Sequence, residues 1–135
     1  MSVEPTFTWM IAEDGRFHIV FEVWERPWTV NAERAGNRWD RAKKTKHWRE
    51  LFATLTHPQA MITDATVEIL LELRGRLQDT AACMPAVKAS IDGMVDAKLF
   101  DDDTGEHVRS IVFNAPSRAK QDKITIIVKG RQHGN

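Results

Sequence analysis

Phe17, Ile19, Phe21 and Val23 alternate with His18, Val20, Glu22 and Trp24, which predicts a β-strand over 16–26 that Pro27 ends. The turn signal Asp14-Gly15 precedes it, so Thr6–Ala12 reads as a further N-terminal strand hairpinned onto it. Residues 28–45 are rich in Arg, Lys and Asn and read as a long loop. Thr45 is placed to cap a helix from Lys46, in which Trp48, Leu51, Phe52 and Leu55 fall at helical spacing before Pro58 stops it. The segment 65–75 is nearly all apolar at its centre, which predicts a second strand buried on both faces. Residues 79–84 look irregular. Pro85 suits the first turn of a helix that runs to about Lys98 with Val87, Ile91, Met94 and Val95 on one side. Two more strands, 106–115 and 123–130, are joined by the polar PSRAKQD in what reads as a hairpin-type connection. The pattern predicts an α+β fold. A mixed sheet of about four strands carries two helices in the order β-α-β-α-β-β, with the N-terminal strand as an addition.

Composition narrows the class. The chain of 135 residues, 42% apolar and 28% charged, suits one globular domain over 1–135 with short flexible ends at about 1–5 and 132–135. No apolar run approaches a membrane span, and Met1–Pro5 lacks the basic and apolar parts of a signal peptide. The single Cys83 excludes an internal disulfide and a Cys-rich zinc site. The expected location is cytoplasmic, with no membrane partner. The five histidines (18, 47, 57, 107 and 133) show no ligand spacing and read as surface or satisfied residues.

Net charge is zero, but its distribution is uneven. Residues 26–49 carry eight basic residues (Arg26, Arg34, Arg38, Arg41, Lys43, Lys44, Lys46, Arg49) and two acids (Glu33, Asp40), leaving this segment at +6 and the rest at −6. Trp28, Trp39 and Trp48 lie in the same arm. Cations interleaved with aromatics suit a polyanion whose bases can stack. The alternative is a basic loop and helix face whose tryptophans anchor the core.

Asp101, Asp102 and Asp103 form a second unusual feature, because adjacent carboxylates repel at a cost of about 1 kcal/mol per pair in water. A solvated turn, a helix cap and a cage for a divalent cation are all open readings. The order of motifs resembles the RusA family of Holliday-junction resolvases over about residues 17–131. The strand is followed by a proline loop with Asn and Arg, here RPWTVNAER, and by a basic stretch entering a helix, here RAKKTKHWREL. A buried strand then leads to RGRLQDTAACMPAVKASIDGMVDAKLFDDDTGEHV, in which Lys88, Asp92, Gly93, Asp102 and Asp103 fit the family's spacing.

The resemblance implies a Mg²⁺- or Mn²⁺-dependent endonuclease of phage or prophage origin that cuts branched DNA in recombination and repair, acting as a homodimer. It places Asp79, Lys88 and Asp103 in catalysis and Asp79, Asp102 and Asp103 on the metal. It puts Asn31, Arg34, Arg38, Trp39, Arg41, Lys43, Lys44, Lys46 and Arg76 on DNA. The sequence departs from the family pattern before Lys88. Anchored on Asp79, the second aspartate and the following Asn fall at Ala81 and Ala82; anchored on Lys88, the two aspartates fall at Ala82 and Met84. Three readings follow: a metal-dependent junction endonuclease, a RusA-derived protein that binds junctions or single strands with little or no cleavage, and a small interaction domain that keeps only the fold.

Overall fold

The computed structural model describes residues 3–31 and 37–134. Arg34, one of the residues expected on DNA, lies outside them. Among the described residues the elements are β1 (Thr6–Ile11), β2 (Phe17–Val23), α1 (Arg38–Leu55), β3 (Ile62–Leu73), α2 (Met84–Asp96), β4 (Val108–Phe113), β5 (Ser117–Arg118) and β6 (Lys123–Gln132). The α+β class, the element order and the added N-terminal strand are as the sequence predicts, with six strands in place of about four.

The strands form one mixed sheet in the order β1-β2-β6-β3-β4, with the short β5 also beside β3. β1 and β2 make the expected hairpin, where Gly15 takes the left-handed conformation at φ 83° that the turn needs. β4 runs parallel to β3, so α2 is the crossover between them. β6 is antiparallel to both β2 and β3 and lies between them. This corrects the expected hairpin between the last two long strands: β3 takes the place between β4 and β6.

Register explains the core. Phe21, Ile126 and Ile69 align across three strands, as do Ile19, Val128 and Val67, and Val23, Ile124 and Leu71. These side chains are buried beneath the helices, where Phe21 meets Phe52 with ring centroids 5.3 Å apart. On the opposite face Glu68, Leu70 and Glu72 alternate outward, and Leu70 is 38% exposed. The central strand is therefore buried on one face, and the expectation of two buried faces is corrected. Its apolar run is interrupted at the right period, with an outward Leu as the exception.

α1 begins eight residues earlier than Lys46. Asn37 caps it, its Oδ1 accepting from the Asp40 backbone N–H at 2.9 Å, and Asp40 adds a negative charge to the first turn. The segment 38–45, expected as loop, is helical because Arg, Lys and Ala are strong helix formers that need no apolar stripe. β6 extends to Gln132, and the His133 N–H donates to Met61 O at 2.7 Å.

The two helices touch closely at Gly93, where a Cβ would lie 2.4 Å from Arg49 O and 2.9 Å from both Ala53 N and Phe52 Cβ. A bidentate pair ties them at a second point: Arg49 Nε donates to Asp96 Oδ2 at 2.7 Å and Nη2 to Oδ1 at 2.9 Å. The Arg49 hydrogen bond holds the Asp96 carboxyl below the usual carboxylate range. A group whose folded pKa is depressed contributes stability above its unfolded value, about 3.9, and loses that contribution as pH falls through the folded value. Asp96→Asn should therefore cost roughly 0.5–1 kcal/mol at pH 7, the size of a well-formed surface pair. The deficit should shrink as pH drops below the usual carboxylate value, as read by urea denaturation across that range.

Candidate nucleic-acid interface and its carboxylates

The buried residues of α1 are Trp48 and Phe52, both in its C-terminal half. The first ten residues, 38–47, stand outside the core; all are exposed except Arg41, which is half-buried. Arg38, Lys43, Lys44 and Lys46 project from this part, and Trp39 is 75% exposed. Lys46 has a loose partner in Glu50 at 3.9 Å, whereas Arg38, Lys43 and Lys44 have no carboxylate partner among the described residues. Trp28 and Trp48 behave differently. They are 9% and 2% exposed and meet edge to face at 6.0 Å. Two of the arm's three tryptophans are thus core anchors, and one is presented to solvent.

Beside this half-helix lies a cleft of about 640 Å³. It forms where the chain leaving β2 meets the middle of α1 and the segment entering α2. It brings Asn31, Lys44, Arg76 and Asp79 together, with His47 on the rim 3.0 Å from Glu25. Its walls are fixed by hydrogen bonds to main-chain carbonyls. Arg26 Nη2 donates to Arg76 O at 2.5 Å, Gln78 Nε2 donates to Pro27 O at 2.8 Å, and the Val30 N–H donates to Ala82 O at 2.9 Å. Cys83 sits below at the start of α2, its thiol pushed up to about 11 by burial, so it packs rather than reacts.

The three adjacent aspartates each have a different role. Asp103 accepts from Lys88 Nζ, which also donates to Asp92 Oδ1 at 2.9 Å one turn along α2. The Lys88 hydrogen bond holds the Asp103 carboxyl below its usual range, and Asp103 in turn raises the Lys88 ammonium pKa. Asp102 closes a turn, its Oδ1 accepting from Thr104 Oγ1 at 2.7 Å and from the Thr104 N–H at 3.0 Å. Asp101 faces His107 and His133, and the ligand atoms of these three residues all lie within 4.8 Å of one another.

Of the residues expected at a metal, Asp79 therefore lines the cleft, Asp102 holds a turn and Asp103 faces Lys88; Asp103 is not part of the cleft lining. No family model matches this chain, and no curated protein matches it. Among the described residues, no helix is long and apolar enough to cross a membrane.

Asp101, His107 and His133 were not singled out from the sequence as a group; His107 is a satisfied residue, as expected, through Thr63 Oγ1 at 3.0 Å from its Nδ1, and the structure adds its proximity to the other two. Spacing held no signal, because the sheet assembles them. Val108 at the start of β4 pairs with Ala65, and Gln132 at the end of β6 pairs with Ile62. Residues 107 and 133 thus arrive from opposite sides at the start of β3.

Proposed function

We propose that this chain is a RusA-type protein that binds branched or single-stranded DNA through the N-terminal half of α1 and the adjoining cleft. The observation that carries the reading is the exposed cationic half-helix, with Trp39 presented among Arg38, Lys43 and Lys44. Phosphates meet the cations, and an unpaired base at a branch point stacks on the indole. Asn31 and Arg76, in the cleft with Lys44, extend the polar surface toward the backbone beyond the branch. A homodimer would present two such arms to a four-way junction, and a DNA-binding role agrees with the cytoplasmic location expected from the sequence.

The second reading is a Mg²⁺- or Mn²⁺-dependent endonuclease, favoured by the contact between Lys88 and Asp103. These ions take oxygen ligands that converge. Here Asp103 faces Lys88, Asp102 holds the Thr104 turn and Asp79 lines the cleft without Asp103, and among the described residues these three form no converging group, so binding without cutting is preferred. A labelled four-way junction incubated with Mg²⁺, Mn²⁺ or EDTA separates the two. The expected result is a gel shift without nicks in all three, whereas paired symmetric nicks that need metal would replace the binding reading by the enzyme. Sedimentation velocity tests the dimer.

Trp39→Ala should weaken binding to junctions or single strands by ~1–3 kcal/mol, with little effect on plain duplex. Because Trp39 is 75% exposed, its melting temperature should stay close to that of the parent. A large fall in melting temperature with equal losses on every DNA would make it a structural residue instead.

A further inference from the structure

We propose that Asp101, His107 and His133 form a transition-metal site, of the chemistry that takes Zn²⁺, which clasps the loop between α2 and β4 to the end of β6. It uses neither Asp79 nor Asp103 and is independent of the DNA reading.

His107 is 4% exposed, and its hydrogen bonds bear on which nitrogen is available. Thr63 Oγ1 donates to Glu106 O at 3.1 Å, which commits the hydroxyl proton. The same oxygen lies 3.0 Å from His107 Nδ1, and in the tautomer with the ring proton on Nδ1 it accepts there. Nε2 is then left with its lone pair. A hydrogen bond to the distal ring nitrogen is the usual outer support of a metal-bound histidine. The His133 ring meets His107 edge to face with centroids 5.0 Å apart, and its backbone is held by Met61 O. Asp101 is exposed and free to turn inward. Asp102 Oδ1, 3.7 Å from His107 Nε2 and beyond hydrogen-bond reach, is close enough to serve as a fourth ligand or outer partner.

The donor set selects the ion. Two imidazoles and a carboxylate suit Zn²⁺, Co²⁺ or Ni²⁺, while Mg²⁺ prefers an all-oxygen shell. Metal–ligand distances of ~2.0–2.1 Å put ligand atoms about 3.4 Å apart in a tetrahedral shell. The 4.8 Å spread therefore closes with a modest side-chain movement, most simply by Asp101. Binding at three points on two segments far apart in sequence would also order the loop that carries Asp102 and Asp103.

The test uses the full chain without a histidine tag, stripped with EDTA and titrated with ZnCl₂ by calorimetry. One ion per chain at micromolar affinity or tighter is expected, with a melting temperature raised by ~5 °C at saturating zinc. Co²⁺ should give the visible absorption of a four-coordinate nitrogen and oxygen site. His133→Ala should weaken zinc binding at least 100-fold and leave the zinc-free melting temperature nearly unchanged, since this ring lies at the edge of the fold. Asp101→Asn, at an exposed position, should weaken it at least 10-fold, which guards against misfolding of a His107 variant. Zinc binding weaker than millimolar, undiminished binding in His133→Ala, or equal affinity for Mg²⁺ would each overturn the site. None of these outcomes bears on the junction assay.

Discussion

Gly93→Ala is expected to lower the melting temperature by roughly 10 °C. The added methyl group would sit 2.4 Å from Arg49 O and 2.9 Å from Ala53 N and Phe52 Cβ. Two of these are backbone atoms of α1, so no flexible side chain can swing away, and α2 must move off its neighbour. Overpacking of this kind costs 1–3 kcal/mol and occasionally more, and a shift of a whole helix away from fixed backbone atoms lies above that range, at about 4 kcal/mol. Alanine returns about 1 kcal/mol in helix propensity, which leaves a net loss of about 3 kcal/mol. Gly105→Ala is the control, because nothing lies within 4 Å of its added Cβ. Differential scanning calorimetry of both variants decides the matter. An unchanged Gly93→Ala transition would mean that the helices do not approach as described.

That contact shows what a sequence hides. Gly93 fits a family spacing, but its reason is a neighbouring backbone that only the fold supplies. Elements with a strong period were legible: β2 from its alternation, and the C-terminal half of α1 from Trp48 and Phe52. The N-terminal half was not, because periodicity senses an apolar stripe and residues 38–47 have none facing a core. Of the strand partners only the β1–β2 hairpin was legible, from Asp14-Gly15. The β4–β6 connection looks like a hairpin until β3 is seen between the two strands. The basic arm of the candidate site was visible as charge, while its separation into buried Trp28 and Trp48 and exposed Trp39 was not. The histidine cluster was invisible, since its members meet only through sheet register.

Arg38→Gln, Lys43→Gln and Lys44→Gln together should cut DNA affinity by about 10²–10³-fold at 0.1 M salt. Each phosphate neutralised on duplex releases roughly 0.9 counterion, so three lost contacts flatten the slope of log K against log[salt] by about 2.7. Extrapolated from 1 M, where that release contributes nothing, to 0.1 M, this corresponds to about 500-fold. The loss should be the same on all sequences, because phosphates carry no base information. All three side chains are exposed and without a carboxylate partner among the described residues, so the melting temperature should hold. Titrations at four or more salt concentrations read the slope. An unaltered slope in a folded variant would make this half-helix a solvated face and remove the main support for DNA as the partner.

The position of β6 sets an order of events during synthesis. Among the described residues, the β1–β2 pair and the β3–α2–β4 unit share no strand pairing except through β6. At roughly 5–20 residues per second, about 60 residues separate the end of β3 from the end of β6, or some 3–12 s. During that interval β2 and β3 each show an unpaired edge beside an apolar face. A ribosome that stalls before Lys123 would leave two half-sheets with no seam, each a template for pairing with another chain. The two half-sheets are joined only once β6 emerges, and until then each keeps an open edge.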